Sequence, residues 1–225
     1  MDELSRLAQR FGSDKFGHGF CGFYDDLLSM RKGDLSKVLE IGVGDGCSLL
    51  MWREYFDHAR ILGLDVSPRV TLETDRVALY RGDQASRRSL NDMIARFGSD
   101  FDFILDDGGH TMEQQQVSLG FLFPHLRPGG LYVIEDLHTS FSKEIIVHVE
   151  GKTVNKYSTG VMEDGISTFD FVDALLRGQQ PSSRHLSASE IDYVVRHVSS
   201  ARIFDRDGDH KHITSAIHKS ASNTT

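Results

Sequence analysis

The chain has 225 residues, of which 39% are hydrophobic and 26% are charged, and its formal net charge is −8. This length suits one domain with its own core, and the acidic balance argues against nucleic acid as a partner. No apolar run approaches the ~18 residues that a membrane-spanning helix needs. The two cysteines, Cys21 and Cys47, and an N-terminus without a signal-peptide core predict a cytoplasmic protein with reduced thiols.

Strand and helix patterns alternate over the first two thirds of the chain. We expect a helical segment at 1–32, followed by the main domain at 33–220. Five short apolar runs bounded by Gly, Asp or Pro are typical of strands buried on both faces: 38–41, 61–66, 77–80, 101–105 and 131–134. Helical patterns lie between them at 48–55, 86–97 and 113–123. The alternation predicts an α/β fold with a doubly wound, mostly parallel sheet.

The pattern changes after residue 136. A helix is predicted at 168–176, and 198–204 and 213–218 are predicted as a C-terminal antiparallel strand pair joined at Asp207-Gly208. Residues 139–167 are polar and contain several glycines, which favours a long loop or lid over the site. The small polar residues at 221–225 are predicted to be a flexible tail.

A glycine-rich turn, 40–46 (EIGVGDG), joins the first strand to the helix that opens near Ser48. Glycines at such a turn let the backbone approach a ligand closely. A dinucleotide fingerprint requires Gly or Ala at position 47, where this chain has Cys47, so the match to a nicotinamide-dependent protein is imperfect. Glu40 can instead attract a cationic ligand. A plain strand-to-helix turn remains the alternative.

Polar side chains also follow the second and third strands. Asp65 ends the second strand, where an acid can bind the hydroxyls of a ribose. Asp83 and Gln84 follow the third strand, where an acceptor and an amide can bind the edge of an adenine. Asp65 and Asp83 taken singly can equally be helix N-caps.

Two acidic clusters follow the fourth and fifth strands. The first is 106–110 (DDGGH), and the second is Glu135-Asp136. Like charges brought together at one edge of a sheet require a cation or a proton among them. Consecutive residues at a strand end point to opposite sides, so one of Asp106 and Asp107 is expected to face a cofactor and the other a metal, with Asp107 favoured for the metal. The alternatives are that Glu135-Asp136 caps a turn and that His110 only starts a helix.

Several segments together resemble the class I methyltransferases that use S-adenosylmethionine. Within that superfamily, the chain is similar to metal-dependent sugar O-methyltransferases of antibiotic biosynthesis, such as those of the mycinamicin, macrocin and novobiocin pathways. The segments that carry the resemblance are 11–15 (FGSDK), 18–20 (HGF), Tyr24, 105–110 (LDDGGH) and 127–136 (RPGGLYVIED). The likeness covers roughly 10–140, and the match is loose after 140.

The resemblance implies a role for each of these positions. It places the metal ligands at Asp107, Glu135 and Asp136, for Mg²⁺ or else Mn²⁺ or Ca²⁺, and the general base at His110; three carboxylates are suitable ligands for such ions. The implied residues for S-adenosylmethionine are Asp14, Lys15, Glu40, Gly42, Gly44, Ser48, Asp65, Asp83, Gln84 and Asp106. Asp14 and Lys15 are assigned to the donor's amino-acid end, although a helix turn explains them nearly as well.

The resemblance also implies an acceptor and an assembly. The acceptor is a small molecule, a hydroxyl of a sugar or of a glycosylated secondary metabolite, and the assembly is a homo-oligomer. The alternatives left open are methylation of a catechol-like diol, a carboxylate or an amine, and a nicotinamide-dependent oxidoreductase. Neither nucleic acid nor a membrane is expected as a partner.

Overall fold

The computed structural model describes residues 1–72, 74–141, 166–208 and 212–221, together with the backbone of 144–149 and 152–157. Its strands are β1 Lys37–Ile41, β2 Arg60–Asp65, β3 Val77–Arg81, β4 Phe101–Asp106, β5 Leu126–Ile134, β6 Glu144–Val149, β7 Lys152–Tyr157, β8 Val198–Asp205 and β9 Ile213–Lys219. Its α-helices are α1 Glu3–Phe11, α2 Asp14–Gly17, α3 Cys21–Leu28, α4 Cys47–Tyr55, α5 Arg87–Phe97, α6 Met112–Leu122, α7 Thr168–Leu176 and α8 Ala188–His197.

A seven-stranded mixed sheet in the order β3-β2-β1-β4-β5-β9-β8 is the centre of the fold. The first five strands in this order are parallel, whereas β9 is antiparallel to both β5 and β8. The predicted doubly wound, mostly parallel sheet with a C-terminal antiparallel pair is confirmed. Strand order reverses between β1 and β4, and ligands of such sheets bind beyond the carboxyl ends of the strands at that point.

The strands are apolar because the sheet has a hydrophobic core on each face. Along β1 and β4, Leu39 and Ile104 belong to one core, and Val38 and Phe103 belong to the other. This alternation is the two-residue period of an extended strand. The core of Leu39 is covered by α5, α6, α7 and α8, and the core of Val38 by α1, α3 and α4.

The N-terminal segment packs onto the sheet as part of the second core. Its predicted helical character is confirmed by α1, α2 and α3. Leu4 and Tyr24 are fully buried in the same core as Trp52 of α4. Hydrophobic packing is continuous across residue 33. The domain boundary predicted there stays a prediction.

The predicted helices at 48–55, 86–97, 113–123 and 168–176 are confirmed within one residue at each end. Helix α8 was not predicted. Its start carries a capping box, in which Ser187 accepts from the N–H of Glu190 and the Glu190 side chain accepts from the N–H of Ser187. That Ser-x-x-Glu spacing, followed by the buried Ile191 and Val194, was the signal that could have identified it.

The loop predicted at 139–167 is wrong for part of its length. After a 3₁₀ turn at Leu137–Phe141, strands β6 and β7 form a two-stranded antiparallel sheet of their own. The β-branched residues Ile145, Ile146 and Val147 favour a strand, whereas the prediction gave more weight to the glycines of the segment. The side chains of 142–165 and most of the predicted tail, 222–225, lie outside the described residues. Among the described residues, no helix is both long and apolar enough to cross a membrane.

Candidate active site

The glycine-rich turn after β1 and the acidic turn after β4 are in backbone contact. The N–H of Asp107 donates to the carbonyl oxygen of Ile41 over 2.9 Å. Gly42 has a φ of +89°, and a Cβ atom on it would lie 1.9 Å from the carbonyl oxygen of Asp107. Only glycine fits at this position, since both the dihedral angle and the space exclude a side chain. The predicted donor loop and the predicted catalytic turn therefore form one rigid unit.

Asp65 links the glycine-rich turn to the end of β2 by hydrogen bonds. Its Oδ2 accepts from the N–H groups of Val43 and Gly44 at 2.8 and 3.2 Å, and its Oδ1 accepts from the N–H of Ser67 at 2.7 Å. Asp65 caps no helix, because the residues after it are not helical in the described part of the chain. Its predicted contact with a ribose stays a prediction.

Asp83 and Gln84 have different environments, although they are neighbours in sequence. Asp83 is exposed, and its Oδ1 accepts from the N–H of Ala85 at 2.9 Å. The N-cap of α5 is Ser86 rather than Asp83, so the helix-cap alternative is wrong. Gln84 is buried and points toward the turn after β4. Their predicted contact with an adenine stays a prediction.

Asp106 lies in the interior, on the side of the sheet that α6 covers. Gln84 Nε2 donates to its two oxygens at 2.9 and 3.2 Å, and the Ser118 hydroxyl of α6 also donates to it. Burial raises the pKa of Asp106 to about 6, and the hydrogen bonds from Ser118 and Gln84 partly offset that rise. Gln84 also accepts from the N–H of Gly109 at 2.7 Å. Asp106 thus supports the acidic turn from beneath and does not lie at its exposed rim, where a cofactor-facing residue was expected.

Lys15 of α2 is the main departure from the sequence-based expectation. Its side chain is 1% exposed, and its Nζ lies 2.6 Å from Asp107 Oδ2, 3.1 Å from Glu135 Oε1 and 3.5 Å from Glu40 Oε1. Burial alone would lower the pKa of Lys15, but the three carboxylates raise it well above its ordinary value. The ammonium group is therefore the countercharge of carboxylates from three adjacent strand ends. Its neighbour Asp14 is exposed, so only Lys15 of this pair belongs to the buried cluster.

Glu40 and Glu135 form the buried floor of the site with Lys15. Ser48 Oγ donates to Glu40 Oε2 at 2.9 Å, and burial raises the pKa of Glu40 to about 7, partly offset by the charge of Lys15. The hydroxyl of Tyr24 in α3 donates to Glu135 Oε1. Burial and the nearby negative charge of Asp107 raise the pKa of Glu135 well above its ordinary value.

A partly exposed rim lies above this floor. Asp107, His110 and Asp136 are 20–23% exposed, and one ligand atom from each lies within 4.8 Å of the others. His110 Nε2 is 3.3 Å from Asp136 Oδ2, and His138 Nδ1 is 3.6 Å from Asp136 Oδ1. Asp136 has a φ of +57°, which is a strained conformation for a residue other than glycine. Such strain at the end of a strand is typical of a residue that is held in place for function.

The site thus brings together most of the residues expected from the sequence. Glu40, Asp107, Glu135 and Asp136 converge as predicted, and His110 lies beside Asp136. No role was predicted for Tyr24 or Ser118. Tyr24 belongs to a segment that carries the family resemblance, whereas Ser118 lies inside a helix with no signal of its own.

Comparison with known proteins identifies the fold unit that carries this site. Residues 39–137 match the family model described as a methyltransferase domain. This part of the chain is a methyltransferase domain. Mycinamicin VI 2''-O-methyltransferase of Micromonospora griseorubida is 33% identical over 199 residues, 84% of this chain and 48% of the relative. Demethylmacrocin O-methyltransferase of Streptomyces fradiae is 39% identical over 148 residues, 62% of this chain and 37% of the relative.

A solved structure extends the similarity to the whole chain. The MycE methyltransferase of the mycinamycin pathway, in complex with Mg, SAH and mycinamycin VI, superposes with a TM-score of 0.75 at 28% identity. The match covers 100% of this chain and 56% of that one. The predicted resemblance to sugar O-methyltransferases of antibiotic pathways is confirmed. The chain spans about half the length, or less, of the two curated relatives.

Proposed function

We propose that this protein transfers a methyl group from S-adenosylmethionine to a hydroxyl of a sugar or a glycosylated natural product, with a divalent cation at the site. The observation that carries the proposal is the convergence of Asp107, His110 and Asp136 at the carboxyl edge of the sheet. This cluster lies directly against the glycine-rich turn. The two curated relatives are named as O-methyltransferases of mycinamicin VI and of demethylmacrocin, which supports a natural product of the same kind as the acceptor here.

The chemistry of the side chains fits a hard divalent cation. Asp107 and Asp136 present carboxylate oxygens at a partly exposed rim, and Glu135 faces the same ammonium group as Asp107. Carboxylate oxygens are the ligands that Mg²⁺ and Mn²⁺ prefer. We therefore assign Asp107, Glu135 and Asp136 as the ligands. A divalent ion bound there lowers the pKa of a coordinated hydroxyl and orients it toward the methyl donor.

The glycine-rich turn and its neighbours are assigned to the donor. Gly42 and Gly44 let the backbone approach the donor, and we assign Asp65, at the end of β2, to its ribose and Asp83, after β3, to its adenine. Glu40 is buried and is assigned to the donor site through Ser48, whose hydroxyl donates to it. Asp14 is exposed and Lys15 is buried among carboxylates, so we assign neither to direct donor contact.

His110 is assigned as the general base. It takes the proton of the acceptor hydroxyl while the oxygen displaces the methyl group from the sulfonium, and S-adenosylhomocysteine leaves with the electron pair of the broken carbon–sulfur bond. His110 Nε2 is 3.3 Å from Asp136, so the imidazolium that forms has a carboxylate beside it. A well-placed base of this kind contributes roughly 10²–10⁴ in rate.

One experiment separates a base from a ligand at position 110. Mn²⁺ binding and turnover of a glycosylated macrolide are measured for the wild type, His110→Ala, Asp136→Asn and the exposed control His58→Ala. We expect His110→Ala to lose roughly 10²-fold or more in turnover while keeping Mn²⁺ affinity, and Asp136→Asn to lose Mn²⁺ affinity. Loss of Mn²⁺ affinity in His110→Ala would make the imidazole a ligand. Turnover that persists unchanged in EDTA would overturn the metal-dependent proposal.

The acceptor and the assembly are tested separately. A panel of glycosylated polyketides, free deoxysugars and a catechol, each offered with S-adenosylmethionine and Mg²⁺, distinguishes the proposed acceptors from the alternatives. Methylation of the catechol alone would overturn the sugar assignment. The predicted homo-oligomer is tested by light scattering, where a monomeric mass would contradict it. We also propose that the protein is located in the cytoplasm.

A further inference from the structure

The buried ammonium group of Lys15 lies between two sets of carboxylates that belong to two different ligand sites. On one side are Asp107 and Glu135, at 2.6 and 3.1 Å, which are assigned to the divalent cation. On the other side is Glu40, at 3.5 Å, at the start of the glycine-rich turn that is assigned to the methyl donor. Lys15 therefore contacts carboxylates of both sites, while its own side chain stays buried beneath them.

The carboxylates on the two sides of Lys15 differ in whether their oxygens have hydrogen-bond donors. Lys15 is within hydrogen-bonding distance of Asp107, whereas Glu40 Oε1 is fully buried and accepts no hydrogen bond in the part of the chain that the structure describes. Its other oxygen, Oε2, accepts from Ser48 in the first turn of α4. A buried carboxylate oxygen left without a hydrogen-bond donor is destabilising. A shift of the Lys15 ammonium by less than an ångström toward Glu40 would satisfy this oxygen.

The lysine side chain is able to make such a shift. A lysine ends in a compact charge with three donors on a flexible stem, so it can exchange partners without movement of the backbone. Asp107 and Glu135 hold the ammonium near the metal side only while their oxygens are free. Once these oxygens are shared with a divalent cation, repulsion between the two positive charges favours the Glu40 side.

We propose that Lys15 is a positioning residue that couples binding of the divalent cation to binding of the methyl donor, by exchanging Asp107 and Glu135 for Glu40. This inference rests on the proposed function. When Asp107 and Glu135 ligate the cation, Lys15 turns to Glu40 Oε1, and this contact holds the Glu40 carboxylate in the orientation that accepts from Ser48 at the start of α4, beside the donor site. Because such coupling is reciprocal, the donor product must raise the affinity for the cation by the same factor.

The test is a binding cycle that does not depend on turnover. Calorimetry on the full chain measures the affinity for S-adenosylhomocysteine with and without Mn²⁺, and the affinity for Mn²⁺ with and without S-adenosylhomocysteine. We expect each ligand to tighten the other by about 5-fold or more in the wild type. In Lys15→Met the two affinities should become independent of each other. The control Lys32→Met removes a partly buried lysine that pairs with Glu3, far from the glycine-rich turn in sequence, and its coupling should equal that of the wild type.

A second variant covers the case in which Lys15→Met does not fold. Glu40→Gln keeps the ammonium with its two closer partners but removes the charge toward which it would turn. We expect this variant to keep Mn²⁺ binding and to lose the coupling. Wild-type coupling in either variant would overturn the inference, as would a wild type that binds both ligands independently. A wild type that fails to bind S-adenosylhomocysteine or Mn²⁺ at all would overturn the proposed function as well, so the two failures are distinguishable.

Discussion

Replacement of Gly42 by alanine tests whether the donor turn and the catalytic turn form one rigid unit. A Cβ at Gly42 would lie 1.9 Å from the carbonyl oxygen of Asp107, 2.5 Å from its carbonyl carbon and 2.8 Å from Gly108 Cα. All three atoms belong to the backbone, so no side chain can rotate away to make room. Relief requires the turn after β1 to separate from the turn after β4, which breaks the hydrogen bond from the Asp107 N–H to Ile41.

Gly12 supplies the matched control. It has a φ of +72°, against +89° for Gly42, and a Cβ on it would meet nothing within 4 Å. Gly12→Ala should therefore lose only the left-handed strain, about 1–2 kcal/mol of unfolding free energy. Gly42→Ala adds overpacking, which contributes roughly a further 1–3 kcal/mol. The expected difference in melting temperature is then about 2–12 °C for a chain of this size.

The assay pairs urea unfolding with calorimetric titration of S-adenosylhomocysteine. Gly42→Ala should be less stable than Gly12→Ala and should also bind S-adenosylhomocysteine more weakly, while Gly12→Ala keeps wild-type affinity. If both variants lose the same stability and both bind normally, the contact between the two turns does not contribute to the site.

Three further substitutions test individual contacts. Asp65→Ala should weaken S-adenosylhomocysteine by roughly 10-fold, since two N–H groups of the glycine-rich turn lose their acceptor; an unchanged affinity by calorimetry would contradict this. Asp102→Ala should lower the unfolding free energy by about 2–5 kcal/mol, because the buried Asp102 accepts from Ser36 and Lys37 N–H groups and pairs with Arg127; a loss below 1 kcal/mol in urea would refute it. For Glu40, burial raises the pKa to about 7, so the folded state holds a proton that the unfolded state releases near its ordinary value of 4.5. The stability of the wild type relative to Glu40→Gln should therefore fall by about 3 kcal/mol as the pH rises from 4.5 through 7, and a difference that stays constant over this window would show that Glu40 titrates normally.

Strands buried on both faces were predictable because most residues in them are apolar. All six residues of β4 are buried, and the sequence alone marks that run and the acidic turn after it. The pair β6 and β7 was missed because the prediction gave the glycines of the segment more weight than the β-branched run Ile145, Ile146 and Val147. The pairing of β9 with β5 depends on contacts between residues far apart in the sequence, such as Tyr132 with Ile217, and no local pattern encodes it.

The strand pattern alone does not determine which of Asp106 and Asp107 faces the ligands. The two-residue period of a strand correctly predicts that they point to opposite faces. Which face carries the ligands depends on what covers each one. Helix α6 covers the Asp106 side and supplies Ser118, whereas α2 and α3 cover the Asp107 side and supply Lys15 and Tyr24. The order of helices around the sheet, and not the strand itself, decides between the two acids.

The acids of the methyltransferase domain contact residues that precede its family match at 39–137. Glu40 and Glu135 are buried within that match, and burial raises the pKa of both. Lys15 supplies the positive charge and Tyr24 the hydroxyl donor that stabilise their ionised forms, and both residues lie in the N-terminal helices. Without them, both acids would take up protons more readily, and a protonated Glu135 is a poor ligand for a divalent cation. The N-terminal helices are therefore part of the candidate active site in the electrostatic sense as well as in packing.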